Sequence, residues 1–177
     1  MPQRSEKTTF DTYRQGGTTS GIRMLIKMAL VVRQFRNTMD VHLRKIGQSS
    51  ARMEALGAIM NMPDPKSQSD LARRLRVENA TVTRMVDILS KEGLVERTPD
   101  PGDRRVNLLS ISPKGEEALR EIFVVYDRVR SHILAVVPPE RHDELSALFD
   151  TMLARLDEPI ATDTHAEDVP RGDPLGT

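Results

Sequence analysis

Apolar residues recur at spacings of three and four along most of the chain, which is the period of helices that pack on one side. From Ser20 this pattern predicts a long helix that ends near Gly47. The apolar side of this helix comprises Leu25, Met28, Val32, Phe35, Met39 and Leu43. Seven turns of helix with one apolar side require a surface to pack against, so the helix is expected to belong to a larger helical assembly.

Three more helices follow in the pattern. Ser49 or Ser50 is a suitable N-cap for a helix that runs through Met60 and stops at a Pro-Asp-Pro turn. The spacing of apolar residues then predicts two further helices, Ser69–Leu75 and Ala80–Glu92, joined by a short turn. The chain therefore carries a pair of short helices near its middle.

After these helices the apolar period changes to that of strands. Leu94–Arg97 and Val106–Leu109 read as two short strands around a turn at residues 99–103, which is rich in Pro, Asp and Gly. Ser112 followed by Pro113 is a favourable helix start. The sequence therefore predicts a β-hairpin that leads directly into another helix.

The long helix that begins at Pro113 is predicted to break at the Pro-Pro pair of residues 138–139, and a last helix spans Glu140 to about Leu156. The fold class is therefore mainly α with one small antiparallel hairpin. We divide the chain into a flexible N-terminal arm (1–19), an N-terminal helix (20–47), a middle domain (48–115), C-terminal helices (116–157) and an acidic disordered tail (158–177).

The composition narrows the class of protein. Aromatic residues make up 3% of the 177 positions, so the core is expected to be aliphatic and helical, and the absence of cysteine excludes disulfides and thiol chemistry. We find neither a signal peptide nor an apolar run of the roughly 18–20 residues that a membrane span needs. A cytoplasmic location without a membrane partner is the expectation.

The net charge of zero conceals an uneven distribution. Residues 157–177 contain six acidic residues and one basic residue, a local charge of −5, whereas residues 66–114 contain ten basic and seven acidic residues, a local charge of +3. A mildly basic middle segment permits nucleic-acid binding without demonstrating it.

The pair of short helices in the middle has the order of a helix-turn-helix. Apolar residues of the second helix face inward, which leaves polar side chains at its N-terminal end, where such motifs meet base edges. These side chains are Asn79, Ala80, Thr81, Thr83 and Arg84. Thr, Asn and Arg are residue types that contact bases, but an ordinary helical hairpin with a polar cap would show the same short pattern.

The hairpin that follows favours the DNA-binding interpretation. Its tip presents Asp103, Arg104 and Arg105, and a single arginine side chain fits the negative potential of a narrow minor groove. Asp103 can accept hydrogen bonds from the Arg105 guanidinium and so direct it, which accounts for a carboxylate at a DNA-facing surface. A solvated charged turn is the alternative.

Residues 68–119 resemble the winged helix-turn-helix of the MarR family of bacterial transcription regulators. The motifs that carry the resemblance are Leu71-Ala72, Ala80-Thr81-Val82-Thr83-Arg84, Gly93-Leu94-Val95 with Arg97, Asp103-Arg104-Arg105, and Leu109-Ser110-Ile111-Ser112 with Lys114-Gly115. The order of helices extends the resemblance to about residues 20–156. It implies a winged helix-turn-helix domain with a two-stranded β wing, flanked by N- and C-terminal dimerisation helices.

The resemblance also implies function. It implies a homodimer that binds a pseudo-palindromic double-stranded DNA operator and represses transcription until a small-molecule effector releases it. Thr81, Thr83 and Arg84 would read the major groove, and Arg105, oriented by Asp103, would probe the minor groove. Arg104 would be a second contact of the wing, while Arg73 and Arg74 are proposed as phosphate contacts from their charge and placement.

Two positions depart from the family pattern. Glu78 stands where a Ser or Asp cap is usual before the second helix, so Asn79 is expected to serve as the cap. Val106 replaces the small residue that usually follows the wing arginines. Both departures affect the expected operator preference rather than the fold.

The apolar surfaces of the first helix and of the two C-terminal helices exceed what the middle domain can cover, which favours a dimer over an intramolecular bundle. His42, Arg44, Met53 and Met60 could line an effector pocket, although His42 is more simply interpreted as a structural hydrogen-bonding residue. The four histidines form no close pair in the sequence, so we predict no metal site, no cofactor and no particular ligand.

An enzyme and a protein-binding module are the two rival classes of protein. An enzyme is disfavoured because the chain has no glycine-rich phosphate loop, no Gly-x-Ser-x-Gly motif and no paired metal-binding histidines. A winged-helix module that binds protein rather than DNA stays open. Substitution of Arg105 distinguishes a DNA-binding winged helix from a protein-binding one, since only DNA binding depends on this residue.

Overall fold

The structure is a computed structural model that describes residues 8–160. Within that range the elements are α1 (Thr9–Arg14), α2 (Ser20–Leu43), α3 (Ser50–Asn61), α4 (Gln68–Leu75), α5 (Asn79–Lys91), β1 (Val95–Pro99), β2 (Asn107–Ile111), α6 (Pro113–Leu134) and α7 (His142–Asp157). Short 3-10 turns follow α2 and precede α7. The predicted class, mainly α with one antiparallel hairpin, is confirmed.

The described residues fall into two compact units with their boundary between Ile133 and Leu134. The first unit contains α1 to α6, the hairpin and one hydrophobic core. The fully buried large side chains of this core are Met39, Leu43, Leu56, Ile59, Leu71, Val82, Val86, Leu89, Leu119 and Ile122. The core thus takes residues from the end of α2 and the start of α6 as well as from the predicted middle domain.

Side-chain caps explain where several helices begin. Ser49 caps α3 by accepting a hydrogen bond from the Arg52 N–H, as predicted. The Asp40 carboxylate of α2 accepts a 2.7 Å bond from the Ser50 N–H, and this bond holds the pKa of Asp40 below its ordinary value. The end of α2 is therefore fixed to the start of α3 at the edge of the core.

Helix α2 is long, as predicted, but most of its apolar side is not buried within this chain. Only Met39 and Leu43, in its last two turns, are buried. Leu25 and Val32, which belong to the predicted stripe, are exposed at 58% and 55%. Periodicity identified the apolar side correctly, and the structure shows that only its end packs in the core of the same chain.

The N-terminal arm differs from the prediction. We expected no regular element in residues 1–19, and this is wrong for Thr9–Arg14, which forms α1. Thr8 caps this helix in a reciprocal capping box with Asp11, a local signal with a Thr-x-x-Asp pattern. No residue of α1 is buried.

The hairpin is antiparallel, and its register pairs Val95 with Ile111 and Pro99 with Asn107. Both strands begin and end one or two residues later than predicted. Val106, predicted as a strand residue, instead closes the turn, since its N–H bonds to the Asp103 carbonyl and its carbonyl accepts from the Asp100 N–H. We call residues 95–111 the wing.

The second unit, described up to Ile160, contains the 3-10 turn Pro139–Arg141 and α7. The last helix is confirmed, whereas α6 ends at Leu134, before the Pro-Pro pair that was predicted to break it. No residue of α7 is buried, and Leu148, Phe149, Leu153 and Leu156 are exposed apolar side chains. Most of the predicted acidic tail, residues 161–177, lies outside the described residues.

Within residues 8–160 no helix combines the length and the apolar character that crossing a membrane requires.

Candidate nucleic-acid interface

Helix α5 presents a polar surface at its N-terminal end because its apolar residues face the core. Val82, Val86 and Leu89 are buried at spacings of three and four. The side chains predicted to read bases are all exposed: Asn79, Thr81, Thr83 and Arg84. Four potential base contacts are therefore presented together on two successive turns.

Hydrogen bonding limits what one of these residues can do. The Thr83 hydroxyl donates to the Asn79 carbonyl one turn earlier at 3.0 Å. The Thr83 oxygen can still accept a hydrogen bond, and its methyl group is free to contact a thymine methyl. Thr83 is therefore suited to apolar or acceptor contacts.

The start of α5 has no side-chain cap. Glu78 is the N-cap residue and makes no capping hydrogen bond, whereas Asn79 is the first helical residue. The expectation that Asn79 serves as the cap is wrong, because the chain enters the helix one residue earlier. The first backbone N–H groups of α5 consequently remain available to an anion such as a phosphate.

Helix α4 brings two arginines to the same lobe. Ser67 and Asp70 form a capping box at its start, and hydrogen bonds from Ser67 keep the pKa of the Asp70 carboxyl below its ordinary value. Arg73 pairs with Asp70 at 3.0 Å, while Arg74 is exposed. Sequence analysis began this helix at Ser69, although the Ser-x-x-Asp pattern marked the true start.

The tip of the wing has the predicted arrangement of Asp103 and Arg105. The guanidinium donates from Nε to Asp103 Oδ1 at 3.0 Å and from Nη2 to Oδ2 at 3.1 Å, and the Arg105 backbone N–H also donates to Oδ1. The Arg105 side chain is 91% exposed. These bonds lower the pKa of Asp103 and raise that of Arg105, so both groups stay charged. Arg104 is exposed beside them.

The base of the wing is fastened to the end of α5. Gly93 has a φ of 73°, a left-handed conformation that ends the helix and turns the chain into β1. The buried Ser112 hydroxyl donates to the Gly93 carbonyl at 2.6 Å and accepts from the Gly115 N–H. Lys114 Nζ donates to the Glu92 carbonyl at 2.7 Å.

Sequence analysis missed three further attachments around α5. Arg97 of β1 forms an ion pair with Asp87 of α5 at 2.5 Å, and Arg52 of α3 forms another with Glu92. On the other edge of the wing, the Leu109 N–H bonds to the Lys66 carbonyl at 2.7 Å. No local pattern indicates these pairs, since each joins residues that are far apart in the sequence.

The residues predicted to line an effector pocket are not brought together. Met53 is buried in the core, whereas His42 and Met60 are exposed. His42 instead lines a cleft of about 200 Å³ between α2 and α6, together with Thr38, Val125, Arg128, Val129 and His132. Sequence analysis saw no close pair of histidines, and the structure places His42 and His132 on one cleft. Within residues 8–160 no three potential ligands cluster in a way that could hold a metal ion.

Comparisons with known proteins agree with this architecture. Residues 49–106 match the model of the MarR family. The transcriptional regulator BldR from Sulfolobus solfataricus has a TM-score of 0.67 and 27% identity, over 84% of this chain and 99% of that chain.

Several of the similar structures are complexes with DNA, including those of MepR and MarR. MepR from S. aureus has a TM-score of 0.65 at 19% identity, over 78% of this chain and 98% of that one. A cysteine-to-serine mutant of MarR from E. coli, bound to operator DNA, has a TM-score of 0.66 at 20% identity, over 75% of this chain and 94% of that one. At these identities the likeness concerns the winged-helix fold. Together with the match of residues 49–106 and the likeness to BldR, it makes this chain similar to transcriptional regulators of the MarR family.

Proposed function

We propose that this protein is a DNA-binding transcription regulator that binds a double-stranded operator. The observation that carries the proposal is the pair of exposed reading elements on one unit, the N-terminal end of α5 and the Asp103-directed Arg105. A helix suits the wide major groove, and one arginine suits the narrow minor groove. The occurrence of the same fold in complexes with DNA supports the proposal.

Each residue has a distinct role in this proposal. Thr81, Thr83 and Arg84 read base edges in the major groove, with Asn79 at the entrance to the helix. Arg73 and Arg74 of α4 contact phosphates, as does Arg104 of the wing. Arg105 enters the minor groove, and Asp103 positions it. The uncapped start of α5 offers backbone N–H groups to a further phosphate.

The binding unit is proposed to be a homodimer on a pseudo-palindromic site. Helix α2 exposes Met24, Leu25, Ile26, Leu30, Val31 and Val32, and α7 exposes four large apolar side chains of its own. Apolar surface of this extent on two helices is typical of protein that is covered by another copy. Two copies related by a twofold axis present two α5 helices to two half-sites.

We further propose repression that a small-molecule effector relieves. A dimer seated on an operator blocks transcription by occupying the site. The cleft between α2 and α6 supports an anionic effector, because its lining includes His42, Arg128 and His132 but no acidic side chain. Val125 and Val129 add an apolar wall. The protein would then act in the cytoplasm, on the nucleoid, without a cofactor and not as an enzyme.

The alternative is a winged-helix module that binds protein and not DNA. The Asp103–Arg105 pair favours DNA, since a bidentate carboxylate that directs an almost fully exposed guanidinium prepares it for a narrow, negatively charged groove. Substitution of Arg105 distinguishes the two functions, because a protein-binding module does not depend on a minor-groove probe.

The test is selection of bound fragments from the host genome with the full chain, followed by affinity measurements on the recovered duplex. We expect affinity to fall roughly a thousandfold or more between about 50 and about 200 mM salt, as several phosphates are contacted per dimer. Arg105→Ala should weaken binding to many sequences, whereas Thr83 and Arg84 substitutions should change the preferred base pair. A flat salt response, or no recovered duplex, would overturn the proposal.

A further inference from the structure

We propose that the ion pair between Arg97 and Asp87 is a positioning device that fixes the angle of the wing relative to α5. This inference rests on the proposed function, because it concerns how the two reading elements of one DNA-binding unit are kept in register. Neither residue is assigned a contact with DNA here. Their role is to determine where Arg105 lies when α5 occupies the major groove.

The wing needs an attachment away from its base, because contacts at the base alone would allow it to rotate about that end. A two-stranded ribbon by itself has little stability in water. The attachments at its base are close together: the Ser112 hydroxyl on the Gly93 carbonyl, and Lys114 on the Glu92 carbonyl. Bonds at one end of a ribbon fix its position there but restrain rotation about that end only weakly.

The length of the ribbon makes rotation costly for groove reading. Val95–Pro99 extends about 16 Å at the usual rise of a strand. A rotation of about 10° about the base would therefore displace the far end of β1 by roughly 3 Å, and Arg105 lies beyond that end. Since hydrogen bonds are lost within about 1 Å of extra separation, such freedom would separate Arg105 from its groove.

Attachments at a distance from the base lie on both edges of the ribbon, and Arg97 supplies the one made by a side chain. It is the third of five paired positions in the ribbon and lies opposite Leu109. Its Nη2 contacts Asp87 Oδ1 at 2.5 Å, with side-chain exposures of 26% and 47%. Along β1, Arg97 shares a face with the buried Val95, so its side chain extends toward the helical part of the unit rather than into solvent.

Asp87 is placed where it couples the wing to base reading. It follows Thr83 by four residues and Arg84 by three, so it lies one turn beyond these readers on the same side of α5. The ion pair thus joins the middle of the ribbon to the turn next to the base-reading residues. It also neutralises a carboxylate that would otherwise repel the DNA backbone.

The opposite edge of the ribbon is held by backbone. The Leu109 N–H bonds to the Lys66 carbonyl, and Ser67 forms an isolated bridge with Leu108, which fastens β2 to the start of α4. The wing is therefore held between α4 and α5, by main chain on one edge and by one side-chain pair on the other. Only the Arg97–Asp87 edge can be altered by substitution without disturbing the strand ladder.

The test is a double-mutant cycle with Arg105, measured on the tightest duplex recovered in the genomic selection. In the native protein we expect Arg105→Ala to weaken binding about tenfold. In an Arg97→Gln background the same substitution should weaken binding less than about threefold, because the probe is no longer held at the groove. Asp87→Asn, an isosteric change in the other member of the ion pair, should reduce the loss of affinity caused by Arg105→Ala in the same way.

Two controls separate positioning from general destabilisation. Arg52→Gln breaks the ion pair between α3 and the end of α5 without touching the wing, so the Arg105 effect should stay near tenfold. The cost of Thr83→Ala should be the same with and without Arg97→Gln, since α5 itself still reads the major groove. Thermal unfolding of each variant shows that the compared proteins are folded.

The outcomes are distinct. If Arg105→Ala costs the same in the native, Arg97→Gln and Asp87→Asn backgrounds, the ion pair does not position the wing and the inference is wrong. If Arg52→Gln reduces the Arg105 effect equally, the coupling reflects stability and the inference is again wrong. If the native protein binds no duplex, the proposed function fails first, so the two failures are distinguishable.

Discussion

In the proposed function, Asp103 contributes to recognition without contacting the DNA. A surface ion pair adds little stability, because both groups are well solvated. Its effect is to hold the almost fully exposed Arg105 guanidinium in one orientation through two side-chain bonds of about 3 Å. A probe that is already oriented loses less conformational entropy on binding, which raises affinity.

The pKa of Asp103 sets the pH range of this effect. Hydrogen bonds from Arg105 lower that pKa below the ordinary 3.8, so the carboxylate orients Arg105 at all higher pH and ceases to do so only as pH falls through the lowered value. Asp103→Asn should weaken duplex binding about fivefold. The ratio of native to variant affinity should be constant from about pH 5 to about pH 8. A ratio that changes with a midpoint in this range would contradict the assignment.

Gly115 marks a position where the backbone leaves no room for a side chain. A Cβ there would lie 2.1 Å from the Leu94 carbonyl oxygen and 2.9 Å from Ile111 Cγ2. We expect Gly115→Ala to lower the free energy of unfolding by about 3 kcal/mol, measured by urea denaturation, because α6 must move away from the wing.

Gly57 provides the matched control for Gly115. It lies inside α3, and a Cβ there meets nothing within 4 Å. Gly57→Ala should raise the free energy of unfolding by about 0.5–1 kcal/mol through helix propensity. Equal effects of the two substitutions would show that the close approach at Gly115 is not tight.

Sequence patterns predicted contacts between neighbours well at this scale and distant contacts poorly. The Asp103–Arg105 pair was predictable because its members lie two positions apart in the sequence and few geometries join them. The Arg97–Asp87 pair was not, although both residues were visible in the sequence. Its existence depends on how the ribbon folds back on α5, which no local pattern specifies.

At the scale of elements, side chains stabilise the N-terminus of α5 less than that of α4. Helix α4 begins with a capping box from Ser67, whereas the Glu78 side chain makes no capping bond to α5. An uncapped start leaves N–H groups for phosphate at a cost in stability. In the proposed function, the missing cap thus lowers the stability of α5 but leaves its N-terminus open to a phosphate.

This leads to a prediction on Glu78. Glu78→Ser introduces a capping hydroxyl and should raise the free energy of unfolding by about 0.5–1 kcal/mol in a urea titration. Glu78→Ala removes the same charge without supplying a cap and should give no increase, since it also removes a favourable interaction with the helix dipole. If both variants are stabilised equally, the gain comes from charge and not from capping.

Element types followed from periodicity, whereas element ends did not. The strands begin and end one or two residues later than predicted because Val106 closes the turn by bonding to Asp103 and Asp100 and does not pair within β2. Helix α1 was missed because its polar composition has no apolar period, and only its capping box indicates it. End positions depend on hydrogen bonds between a few particular atoms, which composition does not reveal.

At the scale of the whole molecule, apolar periodicity identifies a buried face without stating which chain covers it. The stripe on α2 is continuous in the sequence, yet only Met39 and Leu43 are buried in this chain. In the second unit α7 buries none of its residues. The sequence predicted more apolar surface than the middle domain can cover, but not that burial within the chain is confined to the last two turns of α2. Together the two observations support the proposed association between copies.

Association is tested by mass and by DNA binding together. We expect the native protein to have twice the 19.9 kDa chain mass in light scattering. Leu25→Glu combined with Val32→Glu places charge on the exposed α2 stripe and should give a monomer, because burying two carboxylates at an interface is unfavourable. Gln34→Glu, an exposed position on the same helix, should leave the mass unchanged.

The monomeric variant also separates fold from assembly in DNA binding. Since the core of the first unit takes nothing from Leu25 or Val32, the variant should retain its helical circular dichroism. A monomer contacts one half-site, so its affinity for the full duplex should fall at least a hundredfold, with about half the native salt slope. A folded monomer that binds the full duplex as tightly as the native protein would show that each copy reads its operator alone.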